Sequence, residues 1–391
     1  MNRKLFHLPL ITVISLLMFA LGCGLGGDFG NLTLTEKETA LNELPGESQI
    51  MSILTTNSED LGIYWLDLDS HKIYLAKKLD TGMPPPKEMV TWTGSDLVYG
   101  SRVDGFFSLA PDGTSQQVTE FDYPGQLAKN GEKILRFKEC APDESGSSYT
   151  ITPLDSFPEP PLICVPRHAN SDKTAWYLLK PIWNPYLTKV DFVLSKRRGA
   201  SDDLAIEWSK LIHVTASGER EEIIDLGEFY PSWIENDIQP RPDGNAFYLF
   251  NEETGNASII DSQGATLVDF TTLDIQLPDL ERTRRFSWSP DSQKAILFFE
   301  SCPQGSDPCG RVIVLVDENF SQLREILTLP AEHRIQDIVW APNGDQLGLI
   351  TKIHQGIDDP PRIFIIDLRD ASTTEYIFPT QFIVESVEWL R

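Results

Sequence analysis

Over 391 residues the chain carries only five cysteines and six histidines, and 33 Lys and Arg stand against 58 Asp and Glu. The shortage of basic residues leaves a net charge of −25. Such a surface argues against nucleic acid as a partner and against electrostatic adhesion to anionic lipid. His7, His71, His168, His213, His333 and His354 show no metal-ligand spacing, and neither His-Glu-x-x-His nor a calcium loop is present. No metal or other cofactor is therefore expected. Asp67 and Asp69 alternate along one strand and read as a solvated face. A Gly-x-Ser-x-Gly elbow is missing too, and no residues remain from which to build an α/β-hydrolase domain.

The sparse charge is most pronounced at the start. Arg3 and Lys4 form a positive n-region, and Leu5 to Gly22 holds no charged side chain apart from a protonatable His7. The run closes on Ala20-Leu21-Gly22-Cys23, so residues 1–22 read as an export signal. These four residues resemble the bacterial lipoprotein lipobox, with Ala20 where that motif prefers Leu and Leu21 where it prefers a small residue. The resemblance implies lipidation of Cys23 and a membrane-anchored, exported body. An uncleaved transmembrane anchor is the alternative, since the uncharged run reaches Gly27 and about 30 Å of hydrocarbon must be crossed. Loss of residues 1–22 removes two basic and no acidic residues, leaving 31 against 58, a net −27.

Cys140, Cys164, Cys302 and Cys309 remain, an even number in an exported chain, which suggests disulfides. Cys302 and Cys309 flank a short PQGSDP loop, and a bridge there is worth about 2–3 kcal/mol. Cys140–Cys164 has to reach across an intervening strand, and Cα atoms more than about 7 Å apart cannot be bridged.

What is abundant is repetition. A strand ending in Trp, a Ser-Pro-Asp-Gly-like turn and a second apolar strand recur, most clearly in FSWSPDSQKAILFF (286–299) and IVWAPNGDQLGLIT (338–351). The Trp position is held by Trp92, Leu127, Trp183, Pro240, Trp288, Trp340 and Trp389, spaced 35, 56, 57, 48, 52 and 49 residues apart. A second hairpin follows most copies, as in 106–119, 211–224, 257–270 and 312–327. Two hairpins make the four strands of one propeller blade, and a period near fifty marks a propeller array. The array opens with IMSILTT (50–56), a second strand with no Trp strand before it, and closes with IVESVEWLR (383–391), a Trp strand with nothing after it. Pairing the two closes the ring and hides both sheet edges. The expected fold is thus an all-β, seven-bladed propeller over 48–391, with six or eight blades as alternatives, six should Leu127 or Pro240 mark a false repeat. Residues 23–47 are Gly-rich, then polar, and read as a flexible tether spanning about 25–30 Å.

Trp-Ser-Pro-Asp before an apolar strand, with a later Asp-x-x-Gly hairpin, resembles the TolB-type propeller repeat, which is also WD-repeat-like. That resemblance covers 48–391 and implies a fold rather than one activity, because its residues shape turns and pack between blades. Ser58-Glu59-Asp60-Leu61-Gly62-Ile63-Tyr64-Trp65 resembles the Asp-box of sialidase-type propellers, itself a hairpin device.

Two basic clusters stand out, Lys196-Arg197-Arg198 and Arg282, Arg284, Arg285. They suit an anionic partner group, or simply pair with nearby carboxylates such as Asp202 and Asp203. Short turns between first and second and between third and fourth strands occupy one face of the ring. The long connections, among them 167–180, 196–209 and 225–236, occupy the other, together with Trp176, Tyr177, Trp208, Tyr230, Trp233, Arg197, Arg198, Arg284 and Arg285. The expected role is a membrane-anchored module that binds an envelope protein or glycan. The alternative is a propeller hydrolase of glycosidase or sialidase type with two carboxylates at the channel mouth, about 5–9 Å apart.

Overall fold

In the computed structural model the described residues are 29–35, 37–46, 48–57, 61–79, 90–101, 105–119, 125–139, 146–153, 163–166, 175–187, 189–198, 205–214, 220–229, 238–251, 256–270, 280–301, 310–317, 319, 323–353, 359–380 and 382–390. They form seven twisted sheets in a ring. The chain first lays down β1 (Phe29–Asn31), β2 (Thr33–Thr35) and a 3-10 turn (Leu41–Glu43), then β3 (Ile50–Asn57), β4 (Leu61–Asp67) and β5 (Lys72–Leu79) of blade 1. Blade 2 is β6 (Val90–Trp92), β7 (Leu97–Ser101), β8 (Gly105–Leu109) and β9 (Ser115–Thr119). Blade 3 is β10 (Gly125–Leu127), β11 (Lys133–Glu139), β12 (Gly146–Pro153) and β13 (Ile163–Pro166). In blade 4, β14 (Ala175–Asn184), β15 (Lys189–Arg198) and β16 (Ala205–Val214) run ten residues each, followed by β17 (Arg220–Gly227). Blade 5 is β18 (Ile238–Pro240), β19 (Ala246–Asn251), β20 (Asn256–Asp261) and β21 (Thr266–Asp269). Blade 6 is β22 (Leu280–Trp288), β23 (Lys294–Ser301), β24 (Gly310–Asp317) and β25 (Leu323–Leu329). Blade 7 is β26 (His333–Trp340), β27 (Gln346–Ile353), β28 (Arg362–Asp367) and β29 (Thr373–Ile377), and β30 (Phe382–Trp389) follows.

The ring closes as the two incomplete repeats require. β30 pairs antiparallel with β3, Met51 opposite Trp389 and Thr56 opposite Ile383, and becomes the inner strand of blade 1. Leu127 and Pro240 each end a genuine inner strand, β10 and β18, so the alternative counts of six and eight fall away.

The core is not central. Among the described residues it consists of seven apolar clusters, one between each pair of neighbouring blades. Second strands are therefore buried on both faces and read as continuous apolar runs. In β23, Ala295, Leu297 and Phe299 face blade 5 while Ile296 and Phe298 face blade 7. Close stacking leaves no room for a side chain at Gly348, where a Cβ would meet Val339 at 2.8 Å and Met51 at 3.1 Å.

The repeat phrase is the stitching between blades. Indole Nε1 groups donate backwards by one repeat: Trp183 to Leu127 O (3.3 Å), Trp288 to Gln239 O (3.4 Å) and Trp340 to Ser287 Oγ (2.9 Å). In the Ser-Pro-Asp-Ser turn, Ser289 Oγ donates to Asp291 Oδ1 at 2.6 Å and accepts from Lys294 N at 2.9 Å. The fourth turn position is left-handed, with φ of +69 to +76 at Gly131, Gly244 and Gly344 and +63 at Ser292. Ser292 offsets its strain by accepting from Asp243 N of the previous blade at 3.1 Å.

Two readings need correction. The flexible tether does not hold over 29–46. There β1 adds parallel to β29 of blade 7 and β2 parallel to β5 of blade 1, while Leu32 sinks into the core between those blades. Trp65 Nε1 then donates to Thr39 O at 3.1 Å, and Leu41 and Leu44 bury against blades 1 and 2. The segment is a belt across three blades; its three-residue strands take their order from the blade edges they complete. Nor is Asp67 on a solvated face. It is fully buried and caps the β4–β5 turn, its Oδ1 accepting from Asp69 N at 3.1 Å and Ser70 N at 3.2 Å, while Asp69 Oδ2 accepts from Gln49 N at 3.0 Å. Of the Asp-box outline, Ser58–Asp60 lie outside the described residues and Leu61–Trp65 lie on β4 as the hairpin reading requires.

Candidate functional site: the channel mouth

The inner strands of all seven blades converge on one cavity of about 400 Å³ along the ring axis. Each contributes the residue just before its Trp position: Thr91, Gln126, Ile182, Gln239, Ser287, Val339 and Glu388. Lys129, Pro185, Tyr186 and Pro242 come from turns between first and second strands, so the cavity lies toward the short-turn face.

At the second and third turn positions of blades 3 to 7 the repeat breaks its own pattern twice, while blade 2 uses a different turn, Thr93-Gly94-Ser95-Asp96, with Gly94 at φ +93. The second turn position is Pro185, Pro242, Pro290 and Pro342 in blades 4 to 7, but Lys129 in blade 3. The third is Asp243, Asp291 and Asn343 in blades 5 to 7, and Asn130 in blade 3, but Tyr186 in blade 4. Both departures sit at the lumen. Lys129 Nζ meets Glu388 Oε1 at 2.6 Å, a bond from blade 3 to the closing strand of blade 1 that passes over blade 2. Two-fifths of the Lys129 side chain stays accessible against 14% of Glu388, so the pair faces the lumen with its carboxylate the deeper member. Burial works against the Lys129 charge, but Glu388, Tyr186 and Asp337 outweigh it and hold the ammonium above its usual range. Burial likewise pushes the Tyr186 phenol up, opposed by Lys129 and reinforced by Glu388. Both groups keep their neutral-pH forms, Lys129 charged and Tyr186 protonated. At the rim, Arg241 stands 5.8 Å from the Trp288 ring centre and is held by Asp243 through a two-pronged ion pair of 2.8 and 2.7 Å. Among the described residues lining the cavity, Glu388 is the single carboxylate.

The residues expected on the long-loop face fare unevenly. The register sets Trp176 opposite Arg197 and Tyr177 opposite Lys196, which in turn faces Trp208, at the far end of blade 4 from the short turns; Ala175 pairs with Arg198. Trp176, Tyr177, Arg197 and Arg198 are placed there by backbone alone. Lys196 pairs with Glu207 at 2.7 Å, a local neutralisation of that cation, while Asp202 and Asp203 lie outside the described residues. Trp208 is half-buried, with Lys210 Nζ 5.4 Å from its ring centre. Arg285 pairs with Phe298 and Arg282 with Glu300 on blade 6, while Arg284 falls at a break in the register between Thr283 and Arg285. Tyr230, Trp233, Cys23, Cys140, Cys302 and Cys309 lie outside the described residues. Cys164 is on β13, opposite Ser148, with β12 between it and β11. Lys129, Tyr186 and Glu388 were not singled out in the sequence; the signal available was the mismatch of Lys129 and Tyr186 to their own repeat.

No protein-family model matches the chain, and neither does any curated protein sequence. Solved structures do match. An oligogalacturonate lyase in complex with manganese superposes at TM-score 0.52 and 14% identity over 87% of this chain and 85% of that one. The oligogalacturonate lyase of Vibrio parahaemolyticus gives 0.53 and 10% over 88% and 91%. TolB from Acinetobacter baumannii matches at 0.41 and 13% over 93% and 96%. The two lyases share this chain's fold. Identities this low carry the fold alone.

Proposed function

We propose that the protein is an exported binding module of the cell envelope, anchored to a membrane through lipidated Cys23, which receives its ligand at the short-turn mouth of the channel. The observation that carries this is the state of Glu388. Glycoside cleavage needs two carboxylates about 5–9 Å apart with separate protonation duties. Here the one carboxylate lining the described cavity is tied to Lys129 at 2.6 Å. A fixed donor–acceptor pair in a rigid ring suits recognition. Trp208 at the far end of blade 4, an end it shares by register with Trp176, Tyr177, Arg197 and Arg198, would serve as a second contact surface on the opposite face.

Purified from solubilised membranes, the mature chain should begin at Cys23 carrying lipid, Cys23→Ser should release or misprocess it, and envelope material should co-purify. A mature chain starting elsewhere overturns the anchoring. Turnover of a glycoside by the purified protein, lost in Glu388→Gln, overturns the binding role in favour of the hydrolase.

A further inference from the structure

We infer that the channel mouth takes a neutral sugar unit, one or two rings of an uncharged glycan, held between Lys129, Glu388 and Tyr186. This rests on the binding-module reading and specifies its ligand. Size comes first. A cavity of about 400 Å³ falls in the range of small-ligand pockets, about 300–1,000 Å³, whereas a folded partner needs about 800 Å² of apposed surface.

Charge comes next. The cavity lies in a chain of net −25, and its ammonium is already paired. An anionic group would have to compete with Glu388 for Lys129, with Asp337 also close enough to act on that ammonium. A cation would meet Lys129 itself. An uncharged ligand incurs neither penalty.

Hydrogen bonding then selects among neutral ligands. Lys129 can only donate, ionised Glu388 can only accept, and the Tyr186 hydroxyl does both. Neighbouring hydroxyls of a sugar each donate and accept, so one can receive from Lys129 while the next gives to Glu388 without breaking the pair. Gln126 and Gln239 add carboxamides to the wall, and Tyr186, 42% exposed, offers an aromatic face at the mouth for the apolar side of the ring.

The two lapses from the repeat support a ligand role over a structural one. Pro, and Asp or Asn, at those turn positions serve blades 5 to 7 as turn formers, and Lys129 in blade 3 and Tyr186 in blade 4 give up that local turn chemistry. Such lapses are expected where function overrides the fold.

The test uses the full mature chain, tryptophan emission and calorimetry, with maltose, cellobiose, lactose and N,N′-diacetylchitobiose as probes. Digalacturonic acid and N-acetyl-tetraalanine amide serve as anionic and peptide controls. At least one neutral disaccharide should bind, at least tenfold more tightly than either control. Tyr186→Ser, on an exposed turn, should fold normally and weaken binding at least tenfold. The reversed pair, Lys129→Glu with Glu388→Lys, keeps the ion pair and the melting temperature while exchanging donor and acceptor, and should lose binding. Binding by neither the disaccharides nor the controls, equal or tighter binding of either control, or undiminished binding by both variants overturns the inference. Envelope material still captured by these variants would leave the binding module standing and place its site elsewhere.

Discussion

Cutting the chain after residue 381 removes the strand that closes the ring. Phe382, Val384, Val387, Trp389 and Leu390 are each between 2 and 6% exposed, and Phe382 packs edge-on to Tyr64 at 5.2 Å between ring centres. Burial of side chains of this kind contributes about 1.5–3 kcal/mol each, so the five together contribute about 8–15 kcal/mol. That equals the whole stability of an ordinary domain, about 5–15 kcal/mol. The truncated chain should therefore lose cooperative thermal unfolding by circular dichroism and self-associate through the bared edge of β3. A synthetic peptide of residues 382–391 should restore both the melting transition and the monomer, because the register from Met51–Trp389 to Asn57–Phe382 is encoded in β3 and β30 themselves. A truncated protein that melts within a few degrees of the full chain would refute the closure argument. A peptide without effect would refute the claim that the strand acts by pairing.

Three further outcomes are expected. Leu41→Ala should cost about 2–4 kcal/mol in denaturant unfolding, since the residue is buried against blades 1 and 2; no change would mean that 29–46 is a free tether after all. Gly344→Ala should lower the melting temperature, because φ is +70 and a Cβ would stand 3.0 Å from Asp291 Oδ2, whereas Ala371→Gly, at φ +62, should raise stability by about 0.5–1 kcal/mol; the opposite ordering would contradict the turn assignment. His333 is held below its usual range first by burial and then by Arg362, with Arg311 adding and Glu332 and Glu375 opposing. The unfolded chain takes up that proton near pH 6.5 and the folded one only lower, so stability should fall as pH drops from 7 to 5.5. His333→Gln should flatten that slope, and an unchanged slope would remove His333 as its source.

The ring, its closure and its turns were legible because they are written locally and repeatedly. Trp288, Pro290 and Asp291 act within a few residues or one repeat away, and a period near fifty carries that message around the ring. The belt was not legible, since the alternation of Asn31-Leu32-Thr33-Leu34-Thr35 is too short to announce a strand, and Phe29–Asn31 and Thr33–Thr35 pair with edges supplied by β29 and β5. Asp67 misled because alternation along β4 says nothing about the blade stacked against it. The Lys129–Glu388 contact joins residues 259 positions apart across an open lumen, and neither neighbours nor periodicity announce it.

The belt also decides how such a ring would ride on a bilayer. With the anchor proposed at Cys23, six positions separate the lipid from Phe29 on the outer edge of blade 7. Fully stretched, six residues reach only about 20 Å. The protein would stand on its rim like a wheel on a road, blades 7 and 1 nearest the headgroups and blade 4 uppermost. Its axle would then lie along the membrane plane, leaving both mouths of the channel open sideways to whatever diffuses through the space above the lipid.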